Sequence, residues 1–230
     1  MVMTILMKDA TDKLGQEART DMETGNMSIL LYAGDTLLVG RSQQYLQELL
    51  DAVAWAGARA GMELHWDKFQ LIQIGCDIRL RTPEGREVPA QDHLSYLGAT
   101  LYSSGCVAKE LNKRLGAAWA EFVKYERAWK HTAVDKYRKI QMFQALITSK
   151  VLYSLSTAWL NQSEKRRLDG FQAKCLRRVL HIPPSFLSRV SNKAVLQQAR
   201  QDPYSTQLLR QQLALYGKIG RHRTRTFLDV

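Results

Sequence analysis

The 230-residue sequence has few cysteines, and Cys76, Cys106 and Cys175 lie too far apart to form a Cys-x-x-Cys pair. An odd, scattered set excludes a disulfide framework and fits a reduced, intracellular compartment. The histidines (His65, His93, His131, His181, His222) show no metal-ligand spacing with one another or with the cysteines. No apolar run approaches the ~18 residues of a membrane span. Met1 to Met7 followed by Lys8-Asp9 offers no basic leader or small-residue cleavage site, so no signal peptide is expected. The motifs GxxxxGK[ST], GxGxxG and GxSxG are absent, which removes the usual nucleotide-binding and hydrolase chemistries. Proline is missing from Pro89 to Pro183, so nothing there interrupts a helix.

Acidic charge is scarce in one part of the chain. The formal net charge is +11, but residues 1–107 carry −5, residues 108–180 carry +10 and residues 181–230 carry +6. A basic second part implies a polyanionic partner. Nucleic acid suits it better than a membrane, because no helix pairs its basic residues with a strongly lipophilic aromatic face. The apolar fraction of 45% is that of a soluble globular chain with a sizeable core.

Periodicity divides the sequence at Gly105. Before it, the pattern predicts the tail of a helix over Met1 to Met7, a polar loop over 8–26, and strands on either side of Gly34-Asp35. A helix follows from the N-cap Ser42 to about Ala60, stopped by Gly61. Strands are expected over 62–66, 69–74 and 77–81, then a turn at Pro83-Glu84-Gly85 and a strand or hairpin over 94–102 closed by Ser103-Ser104-Gly105. A small antiparallel sheet covered by helix on one face would satisfy this order. After Gly105, helices are predicted over 107–129, 134–160 and 163–180, ended by Pro183-Pro184. Two shorter helical stretches follow around Asp202-Pro203, then a basic tail, Arg221 to Arg225. The apolar stripes include Leu111, Ala118, Trp119, Phe122 and Trp129, then Tyr137, Ile140, Phe143, Ile147, Val151, Leu155 and Trp159. Their tryptophans are expected in the core rather than as base-stacking platforms. The expected class is α+β: residues 1–105 mixed, 106–182 helical, and 183–230 a helical C-terminal segment.

Chemistry concentrates in two places. In Ile29 to Val39, two runs of strand-forming residues flank Gly34-Asp35, a pair suited to a two-residue hairpin loop with glycine at its first position. Near-continuous apolarity predicts strands buried on both faces, with Asp35 at a rigid tip. Gly-Asp is also ordinary turn chemistry. Upstream, Asp9, Asp12, Asp21 and Glu23 lie in expected loop without a surrounding motif. The second place is residues 163–180, where Arg166, Arg167, Lys174, Arg177 and Arg178 fall within one helical arc, offset by Asp169 alone. Such a face favours phosphate over a merely solvated surface.

Together these segments resemble the second half of a reverse transcriptase from a non-LTR (LINE-type) retrotransposon. Tyr32-Ala33-Gly34-Asp35-Thr36 stands where that family has Tyr-Ala-Asp-Asp-Thr, the palm hairpin carrying two aspartates. Gly61 to Lys68 looks like the next palm segment, whose lysine assists pyrophosphate departure. Tyr96-Leu97-Gly98-Ala99-Thr100-Leu101 is similar to the Tyr-Leu-Gly hairpin that grips the primer strand. Lys150 to Trp159 and Leu168 to Arg178 look like the thumb and the region after it. The resemblance covers about residues 27 to 182.

It implies a partial palm, 1–105, and a helical thumb, 106–182. Asp35 is the implied catalytic and metal-ligating residue, with Lys68 as its catalytic partner. Tyr96, Leu97 and Gly98, together with Lys165, Arg166, Arg167, Lys174, Arg177 and Arg178, would contact template–primer. Mg²⁺ is the family's cofactor. Gly34 replaces the first hairpin aspartate, and the partner aspartate and fingers would precede residue 1, so Mg²⁺ is not expected to bind productively. Lys68 also reads as a plain surface lysine. The alternative class is a non-enzymatic basic helical module that binds nucleic acid or protein.

Overall fold

The computed structural model describes residues 2–225, with side chains to residue 221. It is α+β and divides into two compact units, Met1–Cys106 and Val107–Val230. Among the described residues, no helix is long and apolar enough to cross a membrane.

The first unit is built around one helix. Two helices, α1 (Val2–Lys13) and α2 (Gln16–Glu23), occupy the region expected as a helix tail and loop. The polar composition hid a helical register: Leu6, Ala10, Leu14 and Ala18 recur every four residues and are all buried. The hairpin follows as β1 (Met27–Tyr32) and β2 (Asp35–Gly40). Helix α3 (Gln43–Arg59) begins as expected at Ser42, whose hydroxyl accepts from the Tyr45 N–H, and Gly61 follows its end with φ of 70°. One side of α3 presents Leu49, Ala52, Val53 and Ala56 to α1 and β1; another presents Leu46 and Leu50 to Leu71, Leu80 and Val88.

Less strand forms beyond α3 than its composition suggests. Residues 62–65 are irregular and a 3₁₀ turn covers Trp66–Lys68, because the Lys68 and Phe69 N–H groups bond locally to the His65 and Trp66 carbonyls. Only Leu71–Ile72 (β3) pairs, in parallel, with Ala90–Gln91 (β4). The expected strand at 77–81 is reduced to an antiparallel bridge of Arg81 with Glu87, and helix side chains take the backbone of its other edge. The Gln43 side-chain oxygen accepts from Arg79 N–H, and the Gln47 amide both accepts from and donates to the Arg81 backbone at 2.8 Å. Strands β5 (His93–Tyr96) and β6 (Ala99–Tyr102) form the expected second hairpin. Among the described residues there are thus three two-stranded sheets rather than one small sheet.

The second unit is helical. Helix α4 (Val107–Lys124) stops short of the expected Trp129, and α5 (Glu126–Lys130) turns back so that Trp129 Nε1 donates to the Phe122 carbonyl at 2.8 Å with their rings stacked. Helix α6 (Lys136–Phe143) runs through a π-helical turn, Gln144–Thr148, into α7 (Ser149–Leu152). The chain then breaks at Ser154, which has φ of 59° and whose hydroxyl accepts from Arg114, itself paired with Glu110 at 2.7 Å. That break releases the end of the expected stripe: Trp159 is 85% exposed, contrary to its expected place in the core, and Tyr137 at the start is exposed too. Helix α8 (Gln162–Val179) opens with a capping box between Asn161 and Glu164. The short α9 (Ser185–Ser188), α10 (Asn192–Ala199) and α11 (Tyr204–Arg225) complete the unit. Residues 183–225 do not stand apart from 107–182, because Val195, Ala199, Tyr204 and Leu208 share one core with Leu168, Cys175 and Leu176. The backbone of the expected basic tail is helical to Arg225.

Burial pushes the Cys175 thiol from an ordinary 9.0 up to about 12, against the opposing pull of Lys174 and Arg178. Burial also raises the Tyr204 phenol. Between pH 9 and 12 the unfolded thiol has lost its proton while the folded one keeps it, so the second unit loses stability as pH rises through that window. A thiol reagent at pH 8 should label the exposed Cys76 and Cys106 rapidly and Cys175 only after denaturation. Three equally fast thiols in the native protein would contradict this burial.

Candidate nucleic-acid interface

The first hairpin is a ribbon with one covered face. Ile29 and Leu38 pack toward α3, whereas Leu30, Tyr32 and Val39 are exposed on the other side. The expected burial of both faces does not occur, because packing covers the face of Ile29 and Leu38 and leaves Leu30, Tyr32 and Val39 exposed. The loop is also shifted by one residue. Tyr32 pairs with Asp35, so Ala33 and Gly34 form the turn and Asp35 opens β2 instead of standing at the tip. Ala33 takes the left-handed φ, 52°; Gly34 does not, and a Cβ there would meet nothing within 4 Å.

Asp35, Lys68 and Tyr96 line one cleft of about 440 Å³ in this unit, floored by Leu38, Leu46 and Leu50. Asp35 is held by the ladder of β2, and Lys68 closes the 3₁₀ turn. Tyr96 ends β5 just before the Leu97-Gly98 turn, whose φ values of 49° and 75° are both left-handed, as a type I′ hairpin requires. Lys68 is exposed, and its neighbour Asp67 is held at 3.2 Å by Arg86. Two bridged Mg²⁺ ions need several carboxylate oxygens converging between them. Asp35 is the carboxylate among the described residues that line the cleft, so these residues do not fit a two-metal centre.

Helix α8 carries the predicted cations, but its packing sorts them. It touches α4, α5, α6, α10 and α11, and Arg177 is only 7% exposed. The Arg177 guanidinium donates to the carbonyls of Pro183 (3.1 Å) and Val190 (2.5 Å), to Asn192 Oδ1 (3.1 Å) and to Ser188 Oγ (3.4 Å). It fastens the loop around α9 and is unavailable to nucleic acid, which corrects its expected role. Arg166, Arg167, Lys174 and Arg178 are exposed, and Lys165 lies 5.9 Å over the Trp159 ring. Asp169 is occupied by the backbone N–H and hydroxyl of Ser205. Two residues of α4 belong to this face: Asn112, not named as a candidate, accepts from Arg167, and Trp119, expected in the core, lies half-buried beneath Lys174 and Arg178. The seven-residue step from Asn112 to Trp119, matching the step from Arg167 to Lys174, was the available signal.

No protein-family model, curated protein or solved structure matches the chain.

Replacing Arg177 leaves a cluster of buried carbonyls short of donors. Arg177→Gln should lower the stability of the second unit by about 2–4 kcal/mol in urea denaturation, and Arg178→Gln by less than about 0.5 kcal/mol. Equal effects would remove the distinction. Gly34→Asp, with open space and no left-handed φ to satisfy, should change the stability of the first unit by less than about 0.5 kcal/mol. A clear loss would mean that glycine is structurally required there.

Proposed function

We propose that this chain is the palm-end and thumb-like part of a non-LTR retrotransposon reverse transcriptase, and that it holds template–primer without extending it. Three short motifs carry the reading. Tyr32 to Thr36, Gly61 to Lys68 and Tyr96 to Leu101 are far apart in sequence, yet Asp35, Lys68 and Tyr96 meet at one cleft. A polymerase of this type places its hairpin carboxylate, its phosphate-side lysine and its primer-gripping hairpin around one substrate, and this grouping supports that assignment. The exposed cations of α8 suit a sugar–phosphate backbone. With Gly34 at the first carboxylate position, the pair of metal ions that drives phosphoryl transfer lacks its bridge, so the role left is binding. A nucleic-acid partner places the protein inside the cell, in nucleus or cytoplasm.

A second reading, a basic helical module without a palm function, is favoured by one observation: the exposed cations of α8 belong to a unit with its own core. The two differ in whether the primer terminus matters. The purified chain should bind a recessed primer–template several-fold more tightly than a blunt duplex of equal length, in fluorescence anisotropy. Tyr96→Ala should abolish that preference, and no primer extension should occur with Mg²⁺ or Mn²⁺. Equal affinity for both duplexes would favour the helical module, and extension would overturn the non-catalytic role.

A further inference from the structure

We propose that Trp119 is a positioning residue for Lys174 and Arg178, which with Arg167 form a rail of three cations that tracks a phosphodiester backbone without regard to sequence; the proposal rests on the nucleic-acid reading above. At 100° per residue these three fall within an arc of about 40°, and they span roughly 16 Å of helix axis. One strand of B-form duplex presents about five phosphates over that length.

Such a stripe is unstable by itself. Lys174 and Arg178 are four residues apart on one helix and repel each other. The structure offsets this with one aromatic ring: Lys174 Nζ lies 4.0 Å and Arg178 Cζ 4.9 Å from the centroid of Trp119. The ring itself is fixed from inside, by Phe122 nearly parallel at 5.7 Å and Phe171 edge-on at 6.4 Å. Two turns earlier on α4, Asn112 holds Arg167. Helix α4 therefore fixes all three cations, without a carboxylate that would neutralise them. Two acids of this unit are engaged elsewhere: Asp169 with Ser205, and Glu126, which feels Arg178, with Lys130 at 2.9 Å.

This arrangement also decides what kind of contact is made. With two cations over its ring, Trp119 does not serve as a platform for a base. The groups facing the ligand are one ammonium and two guanidinium groups, and as contacts to phosphate they carry no sequence information.

Binding of the full chain to two 20-base-pair duplexes of unrelated sequence, followed by anisotropy across a salt series, tests this. Both duplexes should bind alike. Lys174→Gln with Arg178→Gln should reduce the slope of log K against log salt by about 1.8, two contacts at ~0.9 each. Trp119→Leu should weaken binding about 3- to 10-fold, and Trp119→Phe, which keeps an aromatic face, should restore most of it. On the background lacking both cations, Trp119→Leu should have no further effect. If it weakens binding equally on both backgrounds, Trp119 acts through general packing and the proposal fails. An unchanged salt slope in the double variant overturns the rail but leaves the nucleic-acid reading standing. A wild-type chain that binds neither duplex ends both.

Discussion

A helix packed on most of its circumference has little surface left with which to do anything else, and α8 is such a helix. Five other helices touch it, and Leu168, Gln172, Cys175, Leu176 and Val179 are buried along its length. What remains for solvent is a narrow stripe. Two adjacent arginines near its end consequently have different physical fates. Arg178 reaches water and lies over an indole; Arg177, 100° further round, ties down the following loop through two carbonyls and two side chains. Helical phase against the neighbours, rather than residue type, separates an exposed cation from a structural one.

The first unit depends on a helix in the same way, with strands as dependants. Helix α3 feeds one apolar cluster on each side. Gln43 and Gln47 satisfy the backbone at 79–81 that a further strand would otherwise have paired. Each sheet is therefore only two strands wide, and such ribbons gain little stability without a packed face. The first hairpin has one, through Ile29 and Leu38, and leaves Leu30, Tyr32 and Val39 open.

Elements whose signal is local were legible in the sequence. The Ser42 cap, the stop at Gly61 and the start and end of α8 each rest on a few adjacent residues with one favoured geometry, whereas 94–102 read as either strand or hairpin. The misread elements depended on what lay opposite. Ile29 to Val39 reads as doubly buried because its composition is apolar, but burial requires a partner for each face, and composition does not count partners. The stripe from Tyr137 to Trp159 reads as one helix because its spacing is regular. The chain breaks at Ser154, whose hydroxyl accepts from Arg114, forty residues earlier and outside any local window. For the cleft, Asp35, Lys68 and Tyr96 were each visible as candidates; their meeting is a tertiary fact. Asn112 and Trp119 were missed because an amide and an indole on an apolar helix read as solvent and core.

The turn between β1 and β2 separates fold from chemistry. Had Gly34 carried the left-handed φ, its presence would be explained by the backbone and would say nothing about a carboxylate. Ala33 carries that strain instead, and alanine pays a steric penalty there that glycine would not. A glycine therefore sits where any side chain would fit, beside an alanine where glycine would fit better. On the proposed function, the hairpin keeps a two-residue turn with Asp35 beside it, while the position of the first carboxylate holds glycine although a Cβ there would meet nothing within 4 Å. Binding and phosphoryl transfer make different demands on such a frame: the first needs shape and cations, the second needs two acids a few ångströms apart. On the proposed function the exposed cations of α8 suit the first demand, and Gly34 leaves this turn without one of the acids that the second demands.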